Sequence, residues 1–195
     1  MHRIRRARQS HVSRCARVLV LPVLLGCGLL GCGSGGPYGF GRAYSPQSGE
    51  EAALEGSQPY DPVMARRLPD EWKTKKLELF GVVLARSEGR DGLADLTLSM
   101  RRLSARNLCA DGAEDSCRVT VGDQELARVH ALVQVAQSDN VGSERLKPRW
   151  LVRIVGKLED QPSKDDGSDV LLGSYYRHWP PAYYVTEQAR SYMRR

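Results

Sequence analysis

The chain has 195 residues, with 29 Lys+Arg against 23 Asp+Glu and a formal charge of +6. That excess sits in the first 31 residues, which carry six arginines and no acid; from residue 32 on, 23 basic residues face 23 acidic ones. Balanced charge lacks the electrostatic footprint of a nucleic-acid binder, so the expected partners exclude nucleic acid.

Arg3, Arg5, Arg6, Arg8, Arg14 and Arg17 precede an apolar run from Val18 to Leu30. A basic region, a short apolar region and a small-residue exit make a secretory signal peptide over 1–31. The run is too short and Gly-rich for a spanning helix, which needs about 20 apolar residues. Leu-Leu-Gly-Cys occurs twice, ending at Cys27 and Cys32. It resembles the lipobox of bacterial lipoproteins. The resemblance implies cleavage before the cysteine, a diacylglycerol on its thiol and an acyl chain on the new amine. Cleavage before Cys32 gives the apolar region its usual length, so Cys32 is the expected lipidation site and Cys27 the alternative. Several acyl chains on one cysteine hold a protein to a bilayer without a spanning helix. Gly33, not Asp, follows Cys32; the resemblance then implies the periplasmic face of the outer membrane. The expected cofactor is none beyond this lipid.

Residues 32–74 are rich in Gly and Pro and poor in aliphatics. They read as a disordered tether. Asp61-Pro62 before VMARRL supplies a helix cap and a first-position proline. Short helical turns over 61–73 follow, with Trp72 as an anchor.

From residue 75 to the C-terminus the pattern is β. KLELFGVVLARS is a strand whose Gly81 marks a bulge or a close backbone approach. LADLTLSMRRL alternates Leu96, Leu98 and Met100 with polar residues. NLCADGAEDSC follows, and CRVTV after it is short and β-branched. ARVHALVQVAQ alternates Val129, Ala131, Val133 and Val135. RWLVRIVGKLED sets Trp150, Val152, Ile154 and Gly156 on one face. VLLGSYY is the last strand, and a short C-terminal helix is expected over 186–193. Once Cys15, Cys27 and Cys32 are assigned to the leader and the lipid, Cys109 and Cys117 remain. In an exported chain that pair reads as a disulfide.

Five or six strands without a helical crossover predict a mostly β fold, a small antiparallel barrel or sandwich. Their order, with VRIVGKL…VLLGSYY, resembles the oligonucleotide/oligosaccharide-binding-type barrel, which hosts many functions. Starvation-inducible outer-membrane lipoproteins of the Slp kind have a comparable layout.

YYRHWPPAYYVT concentrates aromatic rings beside a Pro-Pro turn. Tyr175, Tyr176, His178, Trp179 and Tyr183 are the candidate binding residues for a protein or envelope component. His178 after the last strand, with Tyr183 five residues on, resembles the haem-binding His of the periplasmic haem chaperone of cytochrome c maturation, where the Tyr stands four residues on. The resemblance implies a small-ligand carrier with haem at His178 as the alternative. No GxSxG, HExxH or P-loop occurs, so neither catalysis nor a metal site is expected.

Overall fold

The computed structural model describes residues 40–109, 117–143 and 145–189. The expected signal peptide, Cys27 and Cys32, and residues 190–195 lie outside the described residues. In chain order the elements are β1 (Phe40–Ala43), α1 (Ser48–Leu54), β2 (Gln58–Pro59), α2 (Pro62–Arg67), α3 (Pro69–Lys73), β3 (Leu77–Glu88) and β4 (Ala94–Arg101). Then come β5 (Arg106–Cys109), β6 (Cys117–Val121), β7 (Arg128–Val133), β8 (Leu151–Leu158), β9 (Asp169–Trp179) and β10 (Tyr184–Thr186).

The fold is mostly β, and five of the strands close a barrel. The order around it is β3-β4-β7-β9-β8, and β8 pairs back onto β3. Every pairing is antiparallel except β7 with β9. That parallel pair arises because β8 intervenes in sequence but not in space. The alternating residues of the sequence form the interior: Leu77, Leu79, Leu96, Leu98, Met100, Val129, Ala131, Val133, Val152, Ile154 and Leu171 are all buried in one cluster. Each full burial of such a side chain contributes roughly 1.5–3 kcal/mol.

Two glycines set the barrel's closure. A Cβ at Gly81 would stand 2.9 Å from Leu98 Cβ, so Gly81 marks a close approach. The irregularity in β3 falls further on, between Val83 and Ala85. A Cβ at Gly156 would meet the Leu172 carbonyl oxygen at 2.1 Å. That glycine adjoins the bulge of the β8–β9 ladder.

A second layer lies outside the barrel. β1, β5, β6 and β10 form a four-stranded sheet. CRVTV, expected among the barrel strands, is β6 of this sheet. The sheet is pinned by the Cys109–Cys117 disulfide, which joins directly opposed residues of β5 and β6. Between the layers Phe80, Val119, Val121, Leu151 and Trp179 make a separate core. This second core takes Leu151 and Glu50 of α1 meets Arg153, so β8 is buried on both faces from Leu151 to Gly156.

From Phe40 onward the Gly/Pro-rich segment is not a free tether; it is a strap packed on the barrel. The helical turns expected over 61–73 are α2 and α3. The Asp61 carboxylate accepts from the Val63 and Met64 N–H groups at 2.8 and 3.0 Å. Tyr60, Ala65 and Trp72 join the barrel core, and the Tyr60 hydroxyl donates to Asp169. A few large rings and one buried ion pair substitute here for the missing aliphatics. At the other end, RHW, expected beyond the last strand, completes β9. Thr186, expected to begin a helix, closes β10 instead, which runs parallel to β6.

Candidate functional site

β9 is eleven residues long. β7 accompanies it only from Asp169 to Gly173, whereas β8 follows it to Trp179. Beyond Gly173 no strand lies on the β7 side of β9 among the described residues. Gly173 lets the two strands meet, since a Cβ there would come within 2.5 Å of Val133 Cγ1. Past the bulge Tyr175, Arg177 and Trp179 take the outer face, and Trp179 enters the core between the layers. Tyr176 and His178 turn the other way, and Tyr176 packs on the barrel core.

An open groove of ≈ 760 Å³ runs along this part of β9, lined also by Gln47, Gln134 and Asp139. All five candidate residues line it, but their roles differ. The Tyr176 hydroxyl accepts from the Ala136 N–H at 2.9 Å and donates to Asp139 Oδ2 at 2.6 Å. It ties β9 to the segment after β7. Burial, reinforced by the bond to Asp139, pushes its pKa up to about 12, so it stays a neutral donor. His178 lies tilted at 5.0 Å from the buried Trp150 and stacks at 6.1 Å on Tyr176, with Nδ1 3.6 Å from Asp139 Oδ2. Trp179 is core: it stacks on Phe80 at 5.9 Å and meets Tyr44 edge-on at 6.1 Å. Tyr175 is half-buried, and burial raises its hydroxyl pKa. Tyr183, 64% exposed, stands at the rim.

Behind the groove lies a cluster the sequence does not announce. Glu50, fully buried, accepts from Arg153 Nη1 at 2.8 Å and Arg177 Nη1 at 2.6 Å. Tyr44 donates to it as well. Arg153 also reaches Glu78, with Nε 3.0 Å from Oε2. Burial pushes the Glu50 carboxyl upward. The hydrogen bonds from Tyr44, Arg153, Arg177 and the Gln47 N–H outweigh it and hold the group below its ordinary value. Glu50 belongs to the strap, and both arginines belong to barrel strands. In the sequence Glu50 lies in the stretch that reads as a disordered tether. The one available signal is Arg153, a charge inside a strand that is apolar on both faces.

Among the described residues no group of three His, Cys, Asp or Glu side chains is placed to hold a metal. The buried His130 instead bridges Asp95, at 2.9 Å from Nδ1, and Asp166, at 3.5 Å from Nε2.

No protein-family model matches the chain, and no curated protein matches it. Solved structures similar to it include the protein priB from Ralstonia solanacearum, with 14% identity over 53% of this chain and 97% of that one and a TM-score of 0.28. The wild-type single-stranded DNA binding protein from Thermus aquaticus has 16% identity over 52% of this chain and a TM-score of 0.27. The chain spans about half of that protein, 48%. The five-stranded closed barrel is itself the architecture of the oligonucleotide/oligosaccharide-binding type. The exclusion of nucleic acid drawn from net charge is withdrawn here; one of these solved structures is a single-stranded DNA binding protein. Net charge sums the whole chain, whereas binding depends on the local distribution of charge.

Proposed function

We propose that this is a lipid-anchored protein of the bacterial envelope that binds a partner protein through the distal half of β9, without catalysis. The observation that carries the reading is the stretch Ser174–Arg177, which has β8 on one side and the groove on the other. A strand edge with no neighbour presents main-chain donors and acceptors that an extended segment of another protein can pair with. Tyr175 and Tyr183 beside it offer large contact area at low entropic cost. The anchoring half of the proposal rests on the sequence alone: the basic leader, the apolar run and the lipobox-like Leu-Leu-Gly-Cys ending at Cys32. In this reading Cys32 carries the diacylglycerol and N-acyl chains, and the barrel faces the periplasm from the outer membrane.

The test uses the full-length protein in its own membranes, with a photo-crosslinking residue in place of Tyr183. The mass of the extracted protein first reports the acyl chains on Cys32. Crosslinks to one protein, lost in Tyr175→Ala, support the reading. Efficient crosslinking that is indifferent to Tyr175 would move the site elsewhere. A short single-stranded oligonucleotide is titrated in parallel; competition by it at the groove would replace a protein partner with a nucleic acid.

A further inference from the structure

A second groove, of ≈ 820 Å³, lies between the strap and the end of β4. Its size falls within the usual range for ligand pockets, about 300–1,000 Å³. Trp72, Met100 and Leu103 line it, together with Val63 and Leu126. Val63 and Leu126 are 49% and 38% exposed. Apolar surface here is therefore left in contact with water.

The charges along this groove do not cancel. Lys75, Arg101, Arg102 and Arg153 line it against Asp61 and Glu78. Glu78 is taken by Arg153, and Asp61 caps α2. Lys75 is paired with Glu71 and sits 4.7 Å over the Trp72 ring. Arg101 and Arg102 are left over. Arg101 donates one Nη1 bond to the Asp123 carbonyl, but its Nε is buried with no acceptor among the described residues. A buried donor without an acceptor destabilises the protein that carries it. Arg102 is exposed and has no ion-pair partner among the described residues. A purely apolar ligand would leave the Arg101 Nε without an acceptor and make no use of Arg102. A small anion would leave Val63 and Leu126 wet.

We infer that this groove binds a long-chain carboxylate, its headgroup on Arg101 and Arg102 and its chain along Val63, Leu103 and Leu126. The site is separate from the β9 groove and does not depend on the partner proposed there.

The experiment is calorimetric titration of the full chain with Cys27 and Cys32 both replaced by Ser, purified without detergent. The probes are dodecanoate below its micellar concentration, dodecanol and acetate. Dodecanoate is expected to bind at least tenfold more tightly than either. Arg102→Gln, at an exposed position that keeps the fold, should weaken it about tenfold, and adding Arg101→Gln should weaken it further. Circular dichroism checks that each variant is folded. Equal affinity for dodecanol and dodecanoate overturns the inference, as does binding that both substitutions leave unchanged. No heat of binding overturns it too. Dodecyl phosphate binding in place of dodecanoate would reassign the headgroup. Binding only to vesicles containing anionic lipid would make the patch a membrane contact instead.

Discussion

The barrel interior and the strap around it are held by different chemistry. The interior is aliphatic, continuous and built from side chains that alternate along five strands. The strap is fixed by a few contacts of long sequence separation: Glu50 with Arg153 and Arg177, Tyr60 with Asp169, and Trp72 in the barrel end. Apolar burial is non-directional and spread over many partners. A buried ion pair concentrates its effect in one place and leaves an uncompensated charge when broken. One region should therefore fail gradually and globally, the other abruptly and locally.

Substitutions can break that contrast or sharpen it. Leu98→Ala removes a fully buried interior side chain. It should cost up to about 5 kcal/mol of global stability, read from chemical denaturation. Glu50→Gln should cost about 3 kcal/mol, the low end because Arg177 reaches solvent. The loss should appear as faster amide exchange over residues 44–60, with β4 and β7 unchanged. Acid should do the same. Glu50 titrates below its ordinary value in the fold. Its contribution is complete above the ordinary carboxylate range and is lost as pH falls through the depressed value. Strap exchange should rise in that window before the barrel unfolds. Replacing Cys109 and Cys117 together with Ser reopens a short loop and should cost about 2.5 kcal/mol in the chain-entropy model. The outer sheet should loosen while the barrel persists. Tyr176→Phe loses the bonds to Asp139 and Ala136 and should cost about 1 kcal/mol, with faster exchange at Ala136. If Leu98→Ala and Glu50→Gln instead give the same exchange pattern, the two regions are one cooperative unit.

The same contrast decides what the sequence discloses. Leu96-Leu98-Met100 and Val129-Ala131-Val133 announce strands because alternation is a local signal, repeated at every second residue. Their assembly into a closed barrel follows from strand number and short connections. The strap is not announced, because a Gly/Pro-rich composition says nothing about a single glutamate meeting an arginine 103 residues away. The aromatic run of β9 is visible as a cluster, and all five of its candidates do line one groove. Their division of labour is not visible: Trp179 looks like a surface ring in YYRHWPP, yet it packs among Phe80, Val119 and Tyr44, all remote in the chain.

The ion pair of Glu50 also sets a length. With the lipid proposed at Cys32, residues 33–39 are the seven that precede the first strand, and seven residues span at most about 25 Å. Were the chain released as far as residue 60, the 28 residues from 33 to 60 would reach at most roughly 95 Å. Under the anchoring proposed, one carboxylate and two guanidiniums would then bear on how far the β9 edge reaches from the bilayer.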